Sequence, residues 1–383
     1  MRTARRTHGF TESVIRGMTR LAAEYGAINL GQGFPDWPAP ELLKEAAARA
    51  IREDVNQYAI TWGAKSLRDA LARKYARYGL AVDPETEITV TCGATEAMAA
   101  SLLAVVDPGE EVVVFEPFYE NYGADAILCG GTPVYVPFGP GEPLDIDRLA
   151  EAFSERTRAV IVNDPDNPTG RVLTREELSG IAALCRRWDA WAVTDEIYEH
   201  ILYEGEHVPM ATLPGMAERT ITISGASKTF SITGWRIGTI VAPPQVTGAI
   251  RKVHDFLTVG APAPLQEAVA RALDEMPPSY YAELSAGYRR RRDLLCASLS
   301  RAGFRLTPPE GAYYVLADYS AISDLPDAEF ARWLVMEHGV ASVPGSSFYR
   351  RHDPGRRTVR FAFCKTDAVL LEAARRLERL GAR

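Results

Sequence analysis

The sequence predicts an α/β fold, a mostly parallel sheet with helices on both faces, joined to a smaller α+β body. Three observations predict it. Between residue 87 and about residue 245, strand-like runs alternate with helical stretches, the pattern of successive strand–helix units. After residue 285 the chain changes character, with a long basic helix followed by isolated apolar strands. At 383 residues it also exceeds one ordinary domain. The expected division is 1–45 for an N-terminal arm with part of a small domain, 46–285 for a large ligand-binding domain, and 286–383 for a small C-terminal domain.

Composition excludes several function classes. With 46% hydrophobic and 24% charged residues, the chain reads as a soluble globular protein able to bury a large core. A net charge of -7 argues against nucleic-acid or anionic-membrane partners. The five cysteines, Cys92, Cys129, Cys185, Cys296 and Cys364, are scattered without metal-ligand spacing. Neither a zinc site nor a disulfide framework is expected, and reduced thiols in a cytoplasm are. The basic start, residues 1–6, is not followed by the apolar stretch of a secretory signal. No apolar run approaches the roughly 20 residues of a membrane span.

In chain order, residues 1–27 read as an arm with a helical patch over 13–25. Residues 28–38, INLGQGFPDWP, form a loop whose glycines allow close backbone approach and whose prolines stiffen the turn. Helices are expected over 41–52 and 65–78, with the aromatic segment QYAITWG (57–63) between them. Residues 87–92 read as a strand that turns at Gly93-Ala94-Thr95-Glu96 directly into an apolar helix over 97–106. A strand, a glycine and then a helix start form an anion site, since free amides and the helix dipole favour phosphate.

Further strands are expected over 111–116, 132–138 and 159–162, with Pro117-Phe118-Tyr119 after the first. The last runs into NDPDNPTG (163–170), which a simple turn would also explain. After a helix over 175–188 comes WAVTDEIY (191–198), a strand ending in acid. Two alternating runs, 219–224 and 236–242, flank SGASKTFSITGWRIG, and Lys228 therefore lies in the loop between two strands. Desolvation among small and apolar residues disfavours its ammonium form, and a neutral amine attacks carbonyls, the chemistry of a Schiff base with an aldehyde cofactor. Helices follow over 245–256, 265–276 and 280–302, the last carrying Arg289 to Arg292 as a solvated face. On the apolar strand 358–363, Arg360 is a lone charge that needs a partner, and its planar guanidinium matches a carboxylate in two hydrogen bonds.

The segments SKTFSITGWRIG, NPTG and TDEIY together resemble the class I/II aminotransferases, fold-type-I enzymes that use pyridoxal 5'-phosphate (PLP). The resemblance covers nearly the whole chain. It implies a large domain with a mostly parallel seven-stranded sheet and a small domain built from both termini. It also implies that Lys228 holds the cofactor as a Schiff base. Gly93, Ala94, Thr95, Ser227 and Arg236 would bind the cofactor's phosphate, and Tyr58 would reach the phosphate of a neighbouring subunit. Many members carry a serine where this chain has Gly225, leaving Ser224, Ser227 or backbone amides to compensate. Tyr119, with Phe118 as its close rival, would stack on the ring. Asn167 and Tyr198 would meet the phenolic oxygen, and Asp195 the ring nitrogen. Asp166 stands where histidine or another residue is common. A carboxylate at about 4 Å from the ring nitrogen is worth roughly 4 kcal/mol at an effective dielectric near 20, enough to keep the ring protonated and electron-withdrawing. On the substrate side the resemblance implies Gly33, Trp37 and Asn167, with Arg360 on the α-carboxylate.

The expected activity is a ping-pong transamination from an L-amino acid to a 2-oxo acid, with Lys228 shuttling the proton. LGQGFPDWPAP, QYAITWG and GATEAM most resemble the kynurenine/glutamine (transaminase K) and methionine branch, implying aromatic, sulfur-containing or glutamine side chains. Shared active sites imply a homodimer. The alternatives are a carbon–sulfur β-lyase, an aspartate-type aminotransferase and a non-catalytic PLP-binding regulatory domain. The last lacks support from any basic excess or preceding DNA-binding segment.

Overall fold

The computed structural model describes residues 2–380. The chain opens with α1 (Val14–Glu24), β1 (Ile28–Asn29), α2 (Glu41–Arg52) and α3 (Lys65–Ala76). The alternating region contains β2 (Ile88–Thr91), α4 (Ala94–Val105), β3 (Glu111–Glu116), α5 (Asn121–Leu128), β4 (Thr132–Pro137), α6 (Ile146–Glu151), β5 (Thr157–Asn163), α7 (Arg175–Trp188), β6 (Trp191–Asp195), β7 (Thr220–Gly225) and β8 (Gly238–Val241). Then come α8 (Pro244–Thr258), α9 (Ala263–Glu275), α10 (Pro278–Arg301), β9 (Arg305–Leu306), β10 (Tyr314–Asp318), α11 (Asp327–His338), β11 (Val340–Ala341), β12 (Val343–Pro344), β13 (Thr358–Ala362) and α12 (Asp367–Leu377).

Seven strands form one sheet in the order β2-β8-β7-β6-β5-β3-β4. The β4–β3–β5–β6–β7 pairings are parallel, while β8 runs antiparallel to both β7 and β2. The α/β fold with a mostly parallel seven-stranded sheet is therefore the one observed. Its register matters for function. Asn163 pairs with Asp195 and Asp195 with Ile223, so β5 and β6 end level and β7 runs two residues beyond them. Beside them Gly225 pairs with Gly238, and Gly238 with Thr91. This edge holds the carboxyl ends of the parallel strands, where open α/β sheets bind ligands.

Local sequence explains the element ends that surround this edge. Gly93 precedes α4 with φ 85, a conformation that favours glycine, and turns the chain sharply from β2 into the helix. Thr174 and Glu177 form a reciprocal cap at the start of α7. At α1 the Ser13 hydroxyl accepts from the Arg16 amide.

The smaller body has an antiparallel sheet ordered β12-β13-β10-β9 and a parallel β1–β11 pair. Its core joins Met18 and Ala22 of α1 to Leu295 and Leu299 of α10, Phe330 of α11 and Leu370 of α12. Ile197 and Tyr198, just past β6, belong to the same cluster, so the small body packs directly onto the ligand edge of the large sheet. The expected boundaries at 45 and 285 fall inside α2 and α10. Leu43 of α2 clusters with Leu67, Ile88 and Val90 of the large body, and we propose the first division near Pro40. Tyr280 and Tyr281 pack beside that large-body cluster, whereas Tyr288 onward serves the small one, so α10 bridges the two.

The arginine run departs from expectation in part. Arg290 and Arg291 pair with Asp367. Arg292 is buried, donates to the Pro309 carbonyl at 3.0 Å, and lies 4.9 Å from the Tyr203 ring. It closes the seam between α10 and the small domain instead of facing solvent.

Candidate active site

Three residues past β7 the chain has left the sheet edge and offers Lys228. The loop is pinned by its neighbours. Ala226 and Phe230 are buried, Phe230 stacks on Tyr280, and the Ile232 amide donates to the Ser227 carbonyl. The Lys228 amine donates to the Gly33 carbonyl at 3.2 Å and lies 5.7 Å from the Tyr313 ring. Surrounding protein desolvates it and pushes its pKa down to about 8, with the Arg236 and Arg360 charges acting in the same direction.

Lys228 opens onto a cavity of about 250 Å³ that Asp195, Asn167, Tyr119, Arg236 and Arg360 also line. Asp195 ends β6 and is buried. Its carboxylate accepts from the Tyr122 hydroxyl at 2.8 Å and the Ile197 amide at 3.3 Å. Burial nevertheless raises its pKa to about 6, so a cationic partner would relieve its desolvation. Asn167 is held through its amide, which donates to Asn163 Oδ1 at 2.8 Å, while the Asn163 side chain donates to the Asp195 carbonyl at 2.8 Å. The Tyr198 and Tyr314 hydroxyls meet at 3.2 Å.

Ala94, Thr95, Ser227 and Arg236 also line the cavity. Arg236 sits at φ 58, with its guanidinium donating to the Thr233 carbonyl at 3.0 Å. A Cβ on Gly93 would fall 2.2 Å from Arg236 Nη2, so only glycine lets the guanidinium lie against the start of α4. Gly225 has a similar cause. A Cβ there would stand 2.7 Å from the Ile237 carbonyl oxygen, which leaves no room for serine. Of the two candidates to replace that serine, Ser224 is buried and donates to Glu199 at 2.6 Å, whereas Ser227 lines the cavity.

Arg360 on β13 is 1% exposed. It donates to Asn167 Oδ1 and to the Gly31 carbonyl, both at 2.7 Å, and its Nε has no hydrogen-bond partner. No carboxylate pairs with it among the described residues, which removes the buried ion pair as the reason for its charge. Its guanidinium lies 4.2 Å from the Tyr314 ring.

Other expected residues fall into place or away from it. Gly33 lines the cavity, and its carbonyl also accepts from the Tyr313 hydroxyl at 2.9 Å. Tyr119 faces the cavity while Phe118 packs on Tyr135 in the core. Asp166 turns away, its carboxylate accepting from the Thr169 amide at 3.1 Å. Trp37 is not among the lining residues. It packs on Tyr288 at 5.3 Å beneath the Arg291 guanidinium. Tyr58 lies outside this cavity and is 85% exposed. Tyr122, Asn163 and Tyr314 were not expected. Tyr122 and Asn163 stand within four residues of an expected one, but only the fold shows which way they and Tyr314 point.

The residues present fit pyridoxal phosphate. Helix-start amides and Arg236 form an anion cradle, a desolvated carboxylate waits for a cation, and a lysine of lowered pKa lines the same cavity. A seven-stranded sheet with these groups at its strand ends defines a PLP-dependent enzyme of fold type I. The chain belongs to the family described as aminotransferase class I and II, whose model matches residues 25–377. It is 42% identical over 394 residues to a probable N-succinyldiaminopimelate aminotransferase of Mycobacterium tuberculosis, covering 100% of this chain and 99% of that protein. It is 38% identical to the methionine aminotransferase of Escherichia coli (96% of each chain) and 35% identical to human kynurenine–oxoglutarate transaminase 1 (96% and 95%). Among solved structures, the M. tuberculosis N-succinyldiaminopimelate aminotransferase superposes with a TM-score of 0.96 at 42% identity, covering 99% of this chain and 100% of that one. The Thermus thermophilus aspartate aminotransferase with maleate gives 0.93 at 37% identity over 99% and 100%. The chain is thus a PLP-dependent aminotransferase that acts on amino acids and 2-oxo acids. Among the described residues, no helix is long and apolar enough to cross a membrane.

Proposed function

We propose that Lys228 carries the cofactor and moves the proton, and that Arg360 selects substrates by their α-carboxylate. The observation that carries this reading is Arg360 itself, buried beside the lysine without a carboxylate of its own. A buried guanidinium with an unpartnered Nε is costly unless a ligand completes it. Bound PLP supplies an aldehyde for the amine and a ring that accepts the electron pair left at the α-carbon. Asp195 keeps the ring nitrogen protonated, with Tyr122 orienting its carboxylate. Asn167 and Tyr198 donate to the phenolic oxygen. Gly93, Ala94, Thr95, Ser227 and Arg236 hold the phosphate, and Tyr119 covers the ring. With substrate bound, the neutral Lys228 amine would accept the proton from the substrate α-carbon and carry it within the site. The same groups run the reverse half-reaction on a 2-oxo acid, which gives ping-pong kinetics.

For the side chain we propose aromatic, sulfur-containing or glutamine-like amino acids. The motif resemblance and the similarity to methionine and kynurenine aminotransferases support this. A second reading, a substrate with a distal carboxylate such as an N-succinyl amino acid, is favoured by one observation. Arg16 lines the cavity without an ion-pair partner among the described residues. The full-length likeness to the N-succinyldiaminopimelate enzyme points the same way. A stopped-flow panel following loss of the cofactor's absorbance separates the readings. Fast reaction with methionine, phenylalanine, kynurenine or glutamine supports the first, and reaction confined to N-succinyldiaminopimelate or aspartate overturns it. Pyruvate and ammonia from a β-substituted substrate would instead mark a β-lyase.

We further propose a cytoplasmic homodimer in which Tyr58 reaches the partner's phosphate site. Tyr58, Ile60, Phe256, Leu257 and Val259 are exposed apolar side chains. Their two segments adjoin, since the Thr61 carbonyl contacts the His254 ring at 2.8 Å. A face of this kind is what a subunit interface buries.

A further inference from the structure

Behind the cavity, on residues that do not line it, a buried histidine stands between two carboxylates. His207 Nε2 lies 2.9 Å from Glu196 Oε2, and His207 Nδ1 lies 3.9 Å from Asp164 Oδ2. Its side chain is 5% exposed. Other donors already serve the far oxygens, the Thr194 hydroxyl on Glu196 Oε1 and the Leu173 amide on Asp164 Oδ1. Asp164 Oδ2 and His207 Nδ1 have no hydrogen-bond partner. They face each other.

Those two carboxylates belong to the loops that present the cofactor-facing groups. Asp164 is three residues before Asn167. Glu196 follows Asp195 and precedes Tyr198 by two. We propose that His207 is a positioning residue, an imidazolium that clasps Asp164 and Glu196 and so fixes Asn167 and Asp195 relative to each other across the cavity. This rests on the cofactor roles proposed above for those two residues.

The placement of the two ring nitrogens favours the charged ring. A neutral imidazole that donates to Glu196 through Nε2 turns the Nδ1 lone pair toward the Asp164 carboxylate. The doubly protonated ring offers an N–H to each. The surroundings are acidic on balance. Glu199 and Glu177 add negative charge nearby and Asp166 follows Asp164, while the basic groups around the set are Lys74, His200, Arg77 and Arg171, the last paired with Glu177. Lys74 is already paired with Glu199. Burial lowers the His207 pKa, but Glu196 and Asp164 outweigh it and raise it to about 9, while burial pushes the Asp164 carboxyl up to about 7 against the pull of the His207 charge, so the proton of this pair resides on the ring. The Tyr78 ring meets the imidazole edge-on at 5.9 Å and closes the remaining side.

The direct test is nitrogen NMR of histidine-labelled wild-type holoenzyme, with His207 assigned through its contacts to Tyr78. Both ring nitrogens should remain protonated from about pH 6 to about pH 8. A neutral ring at pH 7 overturns the clasp, whether or not any variant folds. In His207→Gln, loss of a nearby positive charge should move the pH midpoint of the bound cofactor's absorbance upward. Turnover should fall roughly tenfold from misplaced groups, with KM little changed. Adding Asp164→Asn, which removes the carboxylate left unpaired, should restore part of that loss. A His207→Gln enzyme with the wild-type midpoint and turnover also overturns the proposal. Failure of the cofactor placement reads out separately, as wild-type protein that carries no pyridoxyl group on Lys228 after reduction.

Discussion

At the scale of single residues, burial decides the chemistry. Arg360 pays for its position only through a ligand, and Arg360→Ala should cost roughly 3–5 kcal/mol by leaving a substrate carboxylate unpaired in a partly dry site. That is a loss on the order of a hundred- to several-thousand-fold in kcat/KM. Lysine should recover only part, because it cannot form the two-pronged contact. The loss should be large for amino acids and small for the matching amines. Equal losses would make Arg360 structural. Lys228 is held near a pKa of about 8 by desolvation in the cofactor-free chain. Its uptake of PLP should therefore rise about tenfold per pH unit below pH 8 and level off above it. A flat profile measured by absorbance between pH 6 and pH 9 would contradict the lowered value. The charged groups themselves were legible in the sequence, since a lysine among small residues and an arginine on an apolar strand are unusual. Tyr122 was not, because an aromatic residue in a helix is most often packing, and only the fold turns its hydroxyl to Asp195.

At the scale of elements, the site is a consequence of register. Asn163 and Asp195 come from different strands and meet because β5 and β6 end level, with β7 running two residues beyond them to Gly225 beside β8. Helix and strand identities followed from periodicity, and α2, β3 and α7 have the bounds the sequence predicts. Helices α5, α6, α11 and α12 gave no such signal, and the first two are short. Strand direction was also out of reach, since nothing local to 238–241 distinguishes an antiparallel strand from a parallel one. The β7–β8 contact yields its own prediction. Restoring the serine common in relatives by Gly225→Ser should lower stability by about 1–3 kcal/mol, because the new Cβ meets the backbone of β8. Urea denaturation of the cofactor-free chain measures this, and an unchanged midpoint would show that β8 yields freely.

At the scale of the whole molecule, the small body closes the ligand edge of the large one, and the exposed Tyr58 waits on a face that a second copy would cover. Two inactive variants, one changed at Tyr58 together with a severe second substitution and one Lys228→Ala, should partly rescue each other as mixed dimers. A fully active monomer by sedimentation would rule out the shared site. Trp37, expected as a pocket wall, rests on Tyr288 of α10, which stacks in turn on Tyr313 beside the Lys228 amine, a placement that only the packing of the small body shows. The central claim, that this edge is a PLP site built on one lysine, is tested most directly by borohydride reduction of the holoenzyme followed by peptide mapping. The pyridoxyl group should be found on Lys228. Its recovery on Lys74, Lys365 or any other lysine would contradict that assignment.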